Sequence, residues 1–116
     1  MIKLVKGFKA AFHGLKMAFY QERSFKIMIV AALAVIFLMF YFPTLKEEKI
    51  ALLLVTFSVL ILELANSTVE RIMNFLHPKP DERIGAIKDL TAGIVLIASI
   101  GAAIIGLVIF YPYFNL

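Results

Sequence analysis

The sequence predicts an all-α integral membrane protein, in which an N-terminal amphipathic surface helix precedes three transmembrane helices. Of its 116 residues, 62% are hydrophobic, whereas soluble globular domains are only about half apolar. The apolar residues form three long stretches with few charges, and lysines and arginines flank these stretches. The length suits a single membrane-embedded domain covering residues 1–116. No cysteine is present, which excludes disulfides and thiolate metal sites.

The first 20 residues are predicted to form the surface helix. On a helical wheel their apolar side chains share one arc and their basic side chains share the opposite arc, as in a helix that lies in the membrane interface. An ordinary amphipathic core helix is the alternative. The apolar arc contains Leu4, Val5, Phe8, Ala11, Phe12, Leu15 and Phe19, and the basic arc contains Lys3, Lys6, Lys9, His13 and Lys16.

Three transmembrane helices are predicted at about residues 27–45, 50–76 and 84–111. The first stretch carries no charge and is just long enough to cross a hydrocarbon core of about 30 Å. A tight polar turn is expected at residues 46–49. A loop with two prolines in three residues separates the second and third helices.

Basic residues are concentrated on one side of the predicted membrane. Six precede the first span, four lie around the loop between the second and third spans, and only Lys46 and Lys49 lie on the other side. The positive-inside rule therefore predicts a multi-pass membrane protein with a cytoplasmic N-terminus. Anionic lipid headgroups are the partners expected for these charges, and nucleic acid is not expected.

Four polar residues interrupt the second span. Glu63, Asn66, Ser67 and Glu70 are spaced so that they share one face of a helix. A carboxylate inside a bilayer costs about 2.5–3.5 kcal/mol on insertion scales, so such groups mark functional sites. Three helices hardly enclose a polar site by themselves. We therefore expect a homo-oligomer that buries this face between subunits.

The predicted topology gathers polar groups near the cytoplasmic interface. Glu22, Glu70 and the Lys88-Asp89 pair lie at this level, and Glu63 lies about 10 Å deeper. Magnesium usually binds one or two carboxylates together with substrate phosphates, and Glu22 and Glu70 are the natural pair. Lys88 suits a phosphate as a compact point charge.

The deeper groups suit a different chemistry. Glu63 could take a proton from a hydroxyl near the headgroup level, and Asn66, one turn away, could orient it. A metal site, a phosphate contact and a base are the parts of phosphoryl transfer to a lipid alcohol. The sequence contains no GxxxxGK[ST] motif or other glycine-rich nucleotide loop, so no familiar soluble nucleotide fold is encoded.

Two motifs resemble a known family. The ExxNxxxE pattern from Glu63 to Glu70 and the Lys88-Asp89 pair, with Glu22 upstream, are similar to the motifs of prokaryotic diacylglycerol kinases, a family that includes the undecaprenol kinases. The resemblance covers essentially the whole chain. It implies a homotrimer that uses ATP and Mg²⁺ to phosphorylate the hydroxyl of a membrane lipid.

The resemblance also implies roles for individual residues. Glu63 would be the catalytic base, and Glu22 and Glu70 would bind the metal ions that bridge the ATP phosphates. A loop contributes to ATP binding at the position of Lys79-Pro80-Asp81, and the nucleotide would be contacted or ordered by Lys88 and Asp89. One departure concerns position 74, where the family often has an aspartate and this chain has Asn74.

Other interpretations remain open from the residues alone. The protein could instead be a small oligomeric transporter that uses Glu63 as a proton or cation site, or a scaffold subunit without activity. Glu70 could merely pair with Arg71 or Lys88, and Glu22 could be a solubilising charge at a helix end. Asp81 could simply cap the third span. Undecaprenol and diacylglycerol are both candidate lipids, and the stretches 21–26 and 105–112 resemble those of the undecaprenol kinase branch.

Overall fold

The computed structural model describes residues 1–114, which form four α-helices. Three of them are long and apolar enough to cross a membrane, with mean hydropathies of 2.3, 2.1 and 2.7 in chain order. The all-helical class and the three long apolar helices are therefore confirmed, whereas the location of the first helix at a membrane surface stays a prediction. The helices are α1 (Ile2–Gln21), α2 (Arg23–Tyr41), α3 (Lys46–Leu76) and α4 (Glu82–Phe114).

The first long apolar helix lies four residues earlier than the sequence suggested. We expected residues 27–45, but α2 begins immediately after Glu22 and ends at Tyr41. The residue before a proline avoids the helical conformation, and Phe42, which precedes Pro43, is extended with φ −90° and ψ 152°. The Thr44 hydroxyl then donates a hydrogen bond of 2.7 Å to the carbonyl of Met39 near the helix end.

The expected polar turn at residues 46–49 is wrong, because these residues form the first turn of α3. The Glu48 carboxylate accepts a hydrogen bond of 2.8 Å from the backbone N–H of Leu45, which satisfies one of the donors left free at a helix start. Two glutamates in this turn also suit the positive end of the helix dipole. The second apolar helix is consequently longer than the predicted 50–76.

The last helix, predicted at 84–111, also extends further at both ends. Asp81 caps its start: the Asp81 carboxylate accepts a hydrogen bond of 2.8 Å from the backbone N–H of Arg83. At the other end, α4 continues through Pro112 to Phe114. A proline there removes only one backbone hydrogen bond close to the helix end.

The apolar core lies at the end of the bundle where α2 meets α3. Met39 and Leu52 are 2% and 1% exposed and pack with Ile109 and Phe110 of α4. The Tyr113 hydroxyl also donates a hydrogen bond of 2.5 Å to Glu48, which ties the end of α4 to the start of α3. This end of the bundle is thus fixed by packing and by a polar contact.

One stripe of α3 faces inward along most of the helix. Its buried residues are Leu52, Val59, Glu63 and Ser67, at spacings of seven, four and four residues. The stripe is apolar near the core and becomes polar toward the other end of the bundle. The buried stripe of α3 therefore leads from the apolar core into the polar face predicted from the sequence.

Candidate functional site

Glu63 and Ser67 are buried within a single chain. Each is 6% exposed, because α2 and α4 both pack against α3. Neighbouring subunits are therefore not needed to bury this part of the polar face, contrary to the expectation from the sequence. Burial of the polar face therefore gives no support to a homotrimer, which stays a prediction.

Asn66 carries a free acceptor at the same level. Its Oδ1 atom is buried and receives no hydrogen bond from any residue within 1–114. Leaving a buried polar atom unpaired costs about 1–3 kcal/mol, so native proteins rarely do so without a reason. The free amide oxygen lies on the turn after Glu63 and is suited to a hydrogen-bond donor such as a hydroxyl group.

Glu22 sits at the break between α1 and α2. Its backbone is extended, with φ −106° and ψ 108°, and its carboxylate reaches α3. Arg71 donates hydrogen bonds of 2.8 Å and 3.1 Å to Oε1 of Glu22, and another of 3.0 Å to Oε1 of Gln21. Glu22 is therefore engaged across the bundle and is more than a solubilising charge at a helix end.

The suggestion that Glu70 pairs with Arg71 or Lys88 is wrong. Arg71 binds Glu22, and the Lys88 ammonium donates a hydrogen bond to Oδ1 of Asn74. Glu70 is exposed, and no side chain in the described part of the chain makes a hydrogen bond or ion pair with it. Its carboxylate is available to a ligand.

Glu22 and Glu70 lie close enough to Glu63 for their charges to act on it. Within residues 1–114 no cluster of three acidic, histidine or cysteine side chains is arranged to hold a metal ion. Magnesium usually takes only one or two carboxylates and completes its shell with phosphates and water, so Glu22 and Glu70 are the residues that could hold it.

The loop between α3 and α4 borders a cavity of about 300 Å³. Among the predicted nucleotide residues, Lys79, Asp81 and Lys88 line this cavity, together with Asn74. Asp89 is exposed and is not part of the lining. The structure thus brings three of the four charged residues predicted to contact the nucleotide around one space.

Asp81 has a structural task in this loop. The backbone N–H of Arg83 lowers the pKa of the Asp81 carboxyl, and the side chain of Arg83 acts in the same direction. The carboxylate therefore remains charged at neutral pH and holds the start of α4. The Nδ1–H group of His77 donates a hydrogen bond of 2.7 Å to the backbone carbonyl of Lys79, which orders the same loop.

A second cavity, of about 450 Å³, separates α1 from α3. Small and apolar side chains such as Ala11, Gly14 and Leu64 form most of its walls. Its polar lining residues are Glu22, Ser67, Thr68 and Arg71. A space with apolar walls and a few polar groups is suited to an amphipathic molecule.

The fold and this arrangement define a helical membrane protein whose acidic site lies at one end of its bundle. The sequence model for the prokaryotic diacylglycerol kinases matches residues 9–110, and the chain therefore belongs to that family. Among curated proteins no significant match was found. Membership of the family implies a kinase that acts on lipids, and the resemblance seen in the sequence is confirmed.

The contacts of two residues do not follow from the sequence. The sequence suggests Arg71 only as a partner of its neighbour Glu70, and Asn74 only as a departure from the family pattern. In the structure Arg71 holds Glu22 and Asn74 holds Lys88. The only sequence signal for either contact was a polar side chain within one turn of Glu70.

Proposed function

We propose that this protein transfers the terminal phosphoryl group of ATP, with Mg²⁺, to the hydroxyl of a membrane lipid at the cytoplasmic face of a bacterial inner membrane. The observation that carries the proposal is the position of Glu63. It is buried in an apolar helix, close to two further carboxylates, in a chain that belongs to a family of lipid kinases. A homotrimer is proposed from the family alone.

Glu63 would act as the general base. Its carboxylate takes the proton of the lipid hydroxyl as the hydroxyl oxygen attacks the terminal phosphorus of ATP, and the bond from that phosphorus to the ADP oxygen breaks. Asn66, one turn from Glu63, would orient the hydroxyl oxygen by donating to it from the side-chain amide N–H, because the single hydroxyl proton passes to Glu63. Burial of both groups keeps competing water away from the attacking position.

The phosphate donor would lie at the exposed end of the same face. Glu22 and Glu70 would hold magnesium, which when bound offsets the negative charge of the phosphates. Lys88 would contact a phosphate after releasing Asn74, and Asp89 would help to order the nucleotide. In the loop, Lys79 would bind phosphate, while Asp81 would act mainly by fixing the loop as the cap of α4.

The lipid would enter through the cavity between α1 and α3, which offers apolar walls for a hydrocarbon chain. Undecaprenol is the preferred acceptor, because stretches 21–26 and 105–112 are similar to the undecaprenol kinase branch. Diacylglycerol is the second candidate. A transporter is not favoured, since the family is one of lipid kinases.

The proposal is tested with purified protein in phospholipid vesicles that contain either undecaprenol or diacylglycerol. With radiolabelled ATP and Mg²⁺, we expect labelled lipid phosphate, formed faster from undecaprenol. Vesicles that lack both alcohols are the control. Proton-coupled ion flux without any ATP turnover dependent on a lipid alcohol would contradict the kinase and support the transporter.

Substitution of Asn74 by aspartate is expected to raise the KM for ATP about 2- to 5-fold. The new carboxylate would pair with Lys88 in place of the neutral amide and would compete with phosphate for the ammonium group. Exposed ion pairs contribute about 0.2–1 kcal/mol, which sets the size of the effect. Asn74→Ala, which frees Lys88, should leave the KM equal or lower. The KM is obtained from initial rates at saturating lipid, and an unchanged value in Asn74→Asp would argue against a phosphate contact by Lys88.

A further inference from the structure

The guanidinium of Arg71 ties the junction of α1 and α2 to α3. Glu22 and Arg71 are 49 residues apart in the sequence, and within residues 1–114 no other ion pair joins residues so distant. Glu22 is the single non-helical residue between the two helices. A change of its backbone angles would swing α1 relative to α2, so a contact at this residue fixes both the side chain and the junction.

The contact uses only one side of the Glu22 carboxylate. Nε and Nη2 of Arg71 both donate to Oε1, and Nη2 also donates to Gln21. No residue within 1–114 donates to Oε2 of Glu22. The guanidinium thus holds the carboxylate in one orientation and leaves its second oxygen free. It also places a positive charge against the Glu22 carboxylate.

We propose that Arg71 is a positioning residue that holds Glu22 so that its free oxygen faces the divalent cation. This inference rests on the proposed function, in which Glu22 is a cation ligand. Groups that orient a metal ligand typically change metal affinity 10- to 100-fold when they are removed. The competing possibility is a latch, in which Arg71 occupies Glu22 until the cation displaces it. A latch would weaken cation binding in the native protein.

The test measures binding of Mn²⁺ by electron paramagnetic resonance, in the full-length protein in lipid bicelles with a non-hydrolysable ATP analogue. We expect Arg71→Ala to weaken Mn²⁺ binding about 10-fold. Arg71→Lys keeps the positive charge but replaces the two guanidinium donors by a single ammonium group, and we expect an intermediate loss of Mn²⁺ affinity. In the kinase assay, the half-saturating Mg²⁺ concentration should rise by a similar factor, whereas kcat at saturating Mg²⁺ should change far less.

Arg23→Ala is the matched control. Arg23 is exposed and directly follows Glu22, and it makes no hydrogen bond or ion pair with any residue in the described range. The control removes one positive charge next to Glu22 in the sequence without removing the contact, so Mn²⁺ affinity should stay within about 2-fold of the native value. A 10-fold loss in Arg23→Ala as well would overturn the inference, because the effect would then be one of local charge alone.

Two results separate failure of this inference from failure of the proposed function. If Glu22→Gln binds Mn²⁺ as tightly as the native protein, Glu22 is not a ligand, and the proposed metal site is wrong. If Glu22→Gln weakens binding but Arg71→Ala binds Mn²⁺ equally well or more tightly, the positioning role alone is overturned. The Arg71–Glu22 pair is partly exposed, at 43% and 25%, so Arg71→Ala should fold normally.

Discussion

Replacement of Glu63 by glutamine is expected to lower kcat for lipid phosphorylation at least about 100-fold, within the range that general bases contribute. Glutamine has nearly the shape of glutamate but cannot accept the proton of the lipid hydroxyl. Because Glu63 is buried in an apolar helix, a neutral side chain there costs less folding free energy than a carboxylate. The variant should therefore fold and assemble as the native protein does.

The measurement is the initial rate of lipid phosphate formation at saturating ATP and Mg²⁺, with thermal denaturation and size-exclusion elution recorded alongside. Glu47→Gln is the control, because Glu47 is an exposed glutamate in the first turn of the same helix, at the opposite end of the bundle. It should keep native activity. Native activity in Glu63→Gln would rule out its assignment as the base.

The general architecture was accessible from the sequence because membrane helices obey a simple rule of length and hydropathy. The ends of the helices were harder to predict from the sequence. The Lys-Glu-Glu-Lys run at 46–49 resembles a loop in composition, yet it forms a helical turn because Glu48 caps the backbone of Leu45. Composition alone does not distinguish a charged loop from a charged first turn, since both are exposed to solvent.

The candidate site was predictable where a single helix determines it. Spacing alone placed Glu63, Asn66, Ser67 and Glu70 on one face. Adjacent residues on a helix do not face each other, so Arg71 points away from Glu70. Its contact with Glu22 at the α1–α2 junction was not predictable, because that contact depends on how the helices pack.

Replacement of Glu70 by glutamine is expected to lower activity about 100-fold at a Mg²⁺ concentration near half-saturation for the native protein. The reason differs from that for Glu63, because the change weakens cation binding. Raising the Mg²⁺ concentration should therefore recover much of the lost rate in Glu70→Gln and none of it in Glu63→Gln. Glu82→Gln removes an exposed glutamate from the start of α4 and should leave the Mg²⁺ dependence unchanged.

The contrast between the two variants tests whether position along α3 separates their roles. Seven residues of helix correspond to about 10 Å, and over this distance the face passes from a buried glutamate, Glu63, to an exposed one, Glu70. In the proposed mechanism, a cation and a nucleotide would reach Glu70 from water, whereas a lipid hydroxyl would approach Glu63 from the bilayer. If high Mg²⁺ restored both variants equally, the two glutamates would share one role as ligands, and the base would have to lie elsewhere.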